Sequence, residues 1–396
     1  MKRTTRPGSV FLVAGTRPEI IKLAPLYRKL QAEIGEARTE WISTGQHLDL
    51  ERTTLESFGI VPAMSLDIRA LSDDLLDAHA EAVKAVTRLI TERRPALVIV
   101  QGDTLSAVST AFAAFHAQTP LAHVEAGLRS GNTHNPFPEE AYRRMIDALA
   151  DLRFAPTRQA ADNLLAEKMR PKTIFVTGNT AVDALMENEA RPPSPPAMEI
   201  REGAQLVLVT LHRRESWGHT LEQMCHALID IADRHPDVEI VLPLHINPKV
   251  RDTIRPILRN NPQIRVTAPL SYADCHDLMR RAALILTDSG GIQEEAPSYG
   301  VPTLVLRETT ERPEVLLSGQ ALLVGTDRNK IVAEASRLLS DAAARAAMRG
   351  NGNPFGDGKA AGRIAKAVRR FLEGETVLLT AEEQFSSQRD PVAATN

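Results

Sequence analysis

The sequence predicts an α/β protein of two Rossmann-like domains, each a parallel sheet covered by helices. Three observations carry that expectation. Short apolar runs alternate with helical segments along nearly the whole chain. A proline-rich break, Arg191-Pro192-Pro193-Ser194-Pro195-Pro196, interrupts the alternation once, after which it restarts. In both halves the unusual polar residues come directly after apolar runs, where open α/β sheets collect their chemistry.

The elements follow in order. Residues 10–14 read as a buried strand, and Gly15-Thr16-Arg17-Pro18-Glu19 as the turn after it. Pro18 suits the first turn of a helix, which residues 20–30 continue. A strand at 40–44 and a helix at 48–58 come next. From 74 to 93 apolar residues recur with a 3.6 period. Strands at 97–101, 121–124, 152–155 and 173–177 then alternate with helices from 104, 138, 157 and 179. The proline run cannot hold a helix or a central strand and reads as a stiff linker. Beyond it, strands are expected at 206–211, 239–243, 264–267, 283–287, 303–306 and 321–324, with helices between. The predicted organisation is an N-terminal domain over 1–190 carrying the acid/base carboxylates and a linker at 191–197. A C-terminal domain over 198–358 follows, then an amphipathic helix at 359–375 packing back on the N-terminal domain, and a polar tail at 376–396, disordered at its end. If the strand ends of the two domains face each other, all the motifs share one cleft.

Composition excludes several classes. With 396 residues the chain is long for one domain, and 43% hydrophobic with 24% charged residues implies full cores. A net charge of −3 gives no electrostatic drive toward nucleic acid or anionic membrane. No apolar run reaches transmembrane length. The apolar start reads as a first strand rather than a signal peptide. Cys225 and Cys275 are the only cysteines, with neither a disulfide framework nor a zinc pattern, so a reducing, cytoplasmic compartment is expected.

The stretch from Leu121 to Glu140, LAHVEAGLRSGNTHNPFPEE, is the first place to look for proton chemistry. Glu125 ends a strand and Glu139 sits in the first turn of a helix, while Asp103 ends a neighbouring apolar run. Mutual burial would split their pKa values, letting one donate while another accepts. The structural alternatives are that Asp103 caps the helix from Thr104 and that Glu139 satisfies a helix N-terminus. A carboxylate at the end of a buried strand needs a partner, which makes Glu125 the hardest of the three to dismiss. Asp288-Ser289-Gly290-Gly291-Ile292-Gln293-Glu294-Glu295 follows a strand and opens a helix, with small residues that free backbone N–H groups for a phosphate. Glu295, one turn in, can accept from a ribose diol. The alternative is an ordinary capped turn with Ser or Asp as cap. Thr210-Leu211-His212-Arg213-Arg214-Glu215 puts three potential cations in a row, suited to a diphosphate; alone, a solvated basic loop is the simpler reading. Arg17 is a further anion candidate and Lys22, a turn later, points toward the same place unless it is a plain surface lysine. The glycine fingerprint of a dinucleotide redox site is absent after the first strand. His47, His123, His134 and His245 lack metal-ligand spacing, so no metal is expected. Gly350, Gly352, Gly356 and Gly358 follow no strand and read as a loop before the last helix.

The segments GTRPEIIKLAP, HVEAGLRSG, PFPEE, GNTAVDAL, HRRES, DSGGIQEEAPS, TTERPE and NPFGDG, in this order, resemble the non-hydrolysing UDP-N-acetylglucosamine 2-epimerases. They span about nine tenths of the chain. The resemblance implies a glycosyltransferase-B fold, a homodimer, no cofactor, and interconversion of UDP-GlcNAc and UDP-ManNAc through loss and readdition of UDP. It implies Asp103, Glu125 and Glu139 as catalytic acids and His212 beside the leaving diphosphate. It implies substrate contacts from Arg17, Lys22, Arg143, Arg213, Ser289, Gly290, Gly291, Glu295 and Arg312. It also implies an activating second UDP-GlcNAc, held by Gln46, His47 and a basic residue of the second domain, His245.

The chain departs from the family pattern at Gln101, at Leu105-Ser106-Ala107, at Tyr142 in place of a small amide, at Leu211, at Val315 and at Leu50. Around an intact set of acids these changes suggest an altered sugar pocket or lost activation. A hydrolysing epimerase releasing ManNAc and UDP, a glycosyltransferase on the same fold, and a UDP-sugar-binding regulator without turnover are the competing readings.

Overall fold

The computed structural model describes residues 8–45, 48–68, 75–192 and 195–387. The chain divides into two compact units, one of Met1–Glu187 with Phe355–Asn396, the other of Asn188–Pro354.

The first unit runs β1 (Val10–Ala14), α1 (Arg17–Ile34), β2 (Thr39–Ser43), α2 (Leu48–Ser57), β3 (Met64–Ser65), α3 (Leu75–Arg93) and β4 (Leu97–Gln101). It continues with α4 (Leu105–His116), β5 (Leu121–Val124), α5 (Glu139–Leu149), β6 (Leu152–Ala155), α6 (Arg158–Ala166), β7 (Ile174–Val176) and α7 (Thr180–Glu189). Its seven strands pair in parallel in the order β3-β2-β1-β4-β5-β6-β7. The order reverses between β1 and β4, the switch point where such sheets open a crevice beyond their strand ends. β1 and β4 are apolar along nearly their whole length and buried throughout, as strands covered on both faces must be.

The second unit runs β8 (Gln205–Thr210), α8 (His219–Arg234), β9 (Val238–Pro243), α9 (Pro248–Leu258), β10 (Ile264–Thr267), α10 (Tyr272–Arg281) and β11 (Leu284–Thr287). It ends with α11 (Gly290–Glu295), β12 (Thr303–Val305), α12 (Pro313–Leu317), β13 (Ala321–Leu323), α13 (Arg328–Ser340) and α14 (Ala342–Ala347). The parallel order β10-β9-β8-β11-β12-β13 repeats the Rossmann pattern, with its switch point between β8 and β11. Side chains of β8 alternate between two cores: Val207 and Val209 pack with α8 and α13, Leu206 and Leu208 with α10.

After Phe355 the chain belongs to the first unit again. Its last helix, α15 (Ala360–Leu372), packs on α1 and buries Ile364, Ala365, Val368 and Phe371. The Asp183 carboxylate on α7 accepts the backbone N–H groups of Ala360 at 3.2 Å and Ala361 at 2.8 Å, tying down two donors at the α15 start. Gly358, at φ +73°, lies so close to α7 that a Cβ there would overlap the Met186 sulfur. The tail differs from a purely polar segment. Leu378, Leu379 and Phe385 are buried, and Phe385 N–H donates to Val176 of the edge strand β7 at 2.8 Å. That contact covers part of an edge otherwise open to pairing. Of the linker, Pro193 and Ser194 lie outside the described residues, while Arg191, Pro192, Pro195 and Pro196 are exposed. Among the described residues no helix is long and apolar enough to cross a membrane, and no cluster of His, Cys, Asp and Glu could hold a metal ion.

Candidate active site

In the first unit the candidate residues gather at the switch point. Gln101 pairs with Val124, so Asp103 and Glu125 leave neighbouring strands side by side. Each has its own buried cation. Arg143 on α5 donates through Nε to Asp103 at 3.0 Å, and a second guanidinium nitrogen pairs with the same oxygen. Lys22 on α1 pairs with Glu125, to which Asn179 also donates at 3.4 Å. Lys22 is 6% exposed and Arg143 4%, so neither is a surface cation. Glu125 sits at φ +70°, in the left-handed region that a non-glycine residue occupies at a cost. Asp103 does not cap α4. Thr104 does, accepting Ala107 N–H at 3.0 Å. Glu139 is half-buried in the first turn of α5, one turn ahead of Arg143. Arg17 is half-buried at the first position of α1.

Three further carboxylates build this site, and sequence reasoning did not single them out. Glu19 is fully buried. It accepts Gly15 N–H at 2.9 Å and Thr16 N–H at 2.8 Å, and the Thr104 hydroxyl donates to its other oxygen. It thus joins the turn that carries Arg17 to the turn that carries Asp103. Burial outweighs these hydrogen bonds and pushes its pKa up to about 7. Asp147, also fully buried, receives His123 Nδ1 at 2.7 Å, Arg129 at 2.8 Å and Gly127 N–H at 3.2 Å. Burial acts to raise its pKa, but His123 and Arg129 together hold it below the usual range. His123, Gly127 and Arg129 of the HVEAGLR run therefore serve to fix the loop after β5. A Cβ at Gly127 would come within 2.2 Å of the Ala160 carbonyl, so that loop needs glycine. Glu140, 0% exposed, accepts from Ser130 N–H at 2.9 Å and from Arg143 and Arg144. It closes the same loop and braces the arginine that holds Asp103.

The second unit repeats the scheme. Thr287 pairs with Thr210, which sets Ser289 beside His212 across the switch point. The fully buried Asp288 does not cap α11. Its carboxylate accepts the backbone N–H groups of His212 at 2.8 Å and Arg213 at 2.9 Å, and lies 3.0 Å from His212 Nδ1. Burial pushes the Asp288 pKa up, and the His212 ring with the two amides brings it below the ordinary value. The basic run does not form one cationic patch. Arg213 Nε is tied to the Asp288 carbonyl at 3.2 Å, and Arg214 lies over the Trp217 ring. His212 keeps its second ring nitrogen for another partner, and its ring stacks on His245 with centroids 5.5 Å apart. Gln46 and His47 lie outside the described residues.

Arg312 packs against Gly290, where a Cβ would meet its guanidinium carbon at 2.5 Å. The same guanidinium donates to Glu294 at 2.7 Å and pairs with Glu311, which also takes Arg307 at 2.9 Å. Arg312 is thus braced inside its own unit. Ser289 opens α11 without a side-chain cap bond, and Gly291 is half-buried behind it. Glu295, at the end of α11, faces His276 at 3.6 Å.

The departures from the family pattern are mostly core positions. Gln101, Leu211 and Val315 are 3%, 1% and 0% exposed. Ser106 bonds Thr44 at 2.7 Å inside the first unit. Leu211 packs in the core on the α8 and α13 side of the second sheet, and Val315 lies on α12, so each side chain is enclosed within its own unit. Tyr142 stays near the site: half-buried against the core, its phenol is pushed above its usual range by burial and by Glu139.

A family model described as UDP-N-acetylglucosamine 2-epimerase matches residues 28–369. The UDP-N-acetylglucosamine 2-epimerase of Escherichia coli K12 is 42% identical over 370 residues, covering 91% of this chain and 98% of the relative. A solved structure of S. aureus MnaA with UDP superposes with a TM-score of 0.88 at 37% identity, covering 93% of this chain and 98% of that one. The UDP-GlcNAc 2-epimerase of Neisseria meningitidis, solved bound to UDP-GlcNAc, gives 0.85 at 35% identity, covering 91% and 99%. The two Rossmann-like units are the glycosyltransferase-B type of architecture, as in these structures. By motif order, by fold and by near full-length identity, the chain belongs to the UDP-N-acetylglucosamine 2-epimerase family.

Proposed function

We propose that the chain epimerises UDP-GlcNAc at C2, giving UDP-ManNAc reversibly and without hydrolysis. The observation that carries the reading is the paired construction of the first-unit site: two adjacent carboxylates, Asp103 and Glu125, each paired with a different buried cation. Groups that exchange protons with carbon must be held in fixed positions and shielded from solvent.

The C2 proton of the sugar is not beside a carbonyl, so direct deprotonation would leave an unstabilised carbanion. Breaking the C1–O bond sends its electron pair to UDP and builds positive charge at C1. Loss of the C2 proton to a carboxylate then places those electrons in a C1–C2 double bond, giving 2-acetamidoglucal and UDP. In the return step a carboxylic acid on the other face protonates C2 while UDP adds back to C1. Asp103, Glu125 and Glu139 are assigned the proton transfers. Lys22 and Arg143 position the first two. His212, oriented by Asp288, is assigned to the departing diphosphate, where a cationic donor stabilises developing charge. Arg17, Arg213 and the Ser289-Gly290-Gly291 turn are assigned to the nucleotide, with Arg312 bracing that turn and Glu295 on the ribose. No redox cofactor is needed by this scheme. Activation by a second UDP-GlcNAc belongs to the same proposal, with His245 acting through its stack on His212.

Proton NMR of the protein with UDP-GlcNAc in D₂O tests the reading. Deuterium at C2 together with UDP-ManNAc is the expected result. Free ManNAc and UDP would move the chain to the hydrolysing class. Binding without exchange would make it a sensor.

A further inference from the structure

The second unit contains a chain of polar side chains, buried at His276 and Glu295 and reaching the surface at Glu189, of which the proposed chemistry uses only Glu295. His276 on α10 is 1% exposed. Its Nδ1 lies 2.7 Å from the Tyr299 hydroxyl, which donates to Glu189 of the same unit at 2.8 Å. Its Nε2 is buried without a hydrogen bond and faces Glu295 Oε2 at 3.6 Å. The Tyr272 and Tyr299 rings flank the imidazole with centroids 4.2 and 5.8 Å away, so the ring has little freedom to turn.

Chemistry sets the order of donors. An ionised carboxylate only accepts, so Tyr299 gives its proton to the bond with Glu189. Burial and then Glu189 push the Tyr299 pKa upward, which keeps that proton in place. The Tyr299 oxygen therefore accepts from His276 Nδ1–H. The imidazole is fixed at one nitrogen, and its other nitrogen faces Glu295 Oε2, a contact that attracts the carboxylate only with a proton on that nitrogen as well, that is, as the imidazolium.

We propose that His276 is a positioning residue for Glu295, fixing which carboxylate oxygen is presented to the ribose diol of a uridine nucleotide. The inference rests on the reading of Glu295 as the ribose contact. With Oε2 turned to the imidazole, Oε1 is the oxygen left to accept from the diol. A carboxylate held in one rotamer spends less entropy on binding than one that must be ordered by the ligand.

The test compares UDP with 2′,3′-dideoxy-UDP by titration calorimetry in the full chain. The unmodified protein is expected to prefer UDP roughly tenfold, the scale of one hydrogen-bonded charge. Glu295→Gln and His276→Phe are both expected to lose that preference, with dideoxy-UDP affinity unchanged. Tyr299→Phe, which leaves the ring in place and removes only its anchor, is expected to lose part of it. If Glu295→Gln loses the preference while His276→Phe keeps it, the positioning role is overturned and the ribose reading stands. If Glu295→Gln keeps the preference, the ribose reading falls and the positioning role with it. Should His276→Phe fail to fold, Tyr299→Phe decides: an undiminished preference overturns the proposal, and a reduced one supports it.

Discussion

Asp288 holds His212 at two points, the backbone N–H at 2.8 Å and the ring Nδ1 at 3.0 Å. This fixes both where the loop runs and which ring nitrogen faces away from the carboxylate. Asp288→Asn separates the two effects. Its remaining oxygen can still accept both loop amides, since both use Oδ2 in the native protein. Its amide N–H₂ would then meet Nδ1 and force the other tautomer. The expected outcome is a fall in kcat on the order of 10²-fold, with the melting temperature little changed. Steady-state kinetics beside calorimetric unfolding checks it; unchanged kcat would remove His212 from the chemistry.

Glu125 tests the proton-transfer assignment. Glu125→Gln preserves shape and the strained backbone at φ +70° but cannot take a proton from carbon. Turnover is expected to drop by roughly 10² or more while the Kd for UDP shifts less than about twofold. Full turnover in the variant would exclude Glu125 from the mechanism. Lys22→Met is expected to be the more damaging change for stability, because it leaves a nearly buried carboxylate without its cation, at about 3 kcal/mol. Urea unfolding of both variants measures the difference.

The fold was legible because both sheets mostly obey one rule: short apolar strands, nearly all of three to six residues, followed by helices with a 3.6 period. β3, with two residues, is too short to show any period. Asp103 and Glu125 were visible because polar residues at strand ends stand out, and Lys22 because it comes about one helical turn after Arg17. Glu19 and Asp147 were not, and Asp288 was read only as the start of a phosphate turn or its cap, although each is buried and carries several hydrogen bonds. Their partners lie on other loops: Glu19 meets Thr104, Asp147 meets His123 and Asp288 meets His212. A sequence displays charge and spacing but not which distant backbone amide a carboxylate must satisfy. Tyr142 shows a related limit, since a bulky ring in a polar motif reads as a pocket change, and its packing against the core of the first unit is not visible in the sequence.

Gly290 is expected to tolerate no side chain. Alanine there would put Cβ 2.5 Å from the Arg312 guanidinium carbon. An arginine end is normally free to move aside, but this one is held by Glu294 and Glu311. Gly290→Ala therefore either breaks that buried cluster or shifts the turn beside Ser289. A loss of about 1–3 kcal/mol in stability is expected, with weaker UDP binding. Denaturant unfolding and UDP calorimetry read the two consequences. A variant with native stability and native UDP affinity would mean that Arg312 and the turn are not rigidly coupled.

Glu19 predicts a pH dependence whose direction can be worked out. Its pKa rises from the ordinary 4.5 to about 7 because burial disfavours the charged form. Between those values the folded protein holds a proton that the unfolded chain has released. The resulting stabilisation is fully present below pH 4.5 and is lost as pH rises through 7. Two and a half units correspond to about 3 kcal/mol as an upper bound. Glu19→Gln is neutral at every pH and lacks this slope. The stability of the variant relative to the native protein should therefore improve as pH is raised from 5 to 8, by up to about 3 kcal/mol. Urea unfolding of both proteins at the two pH values gives the difference directly. Because Glu19 links the Arg17 turn to the Asp103 turn, kcat of the variant should fall even where its stability gains. A constant stability difference across the range would mean that Glu19 is already ionised at low pH, held so by the Gly15, Thr16 and Thr104 donors.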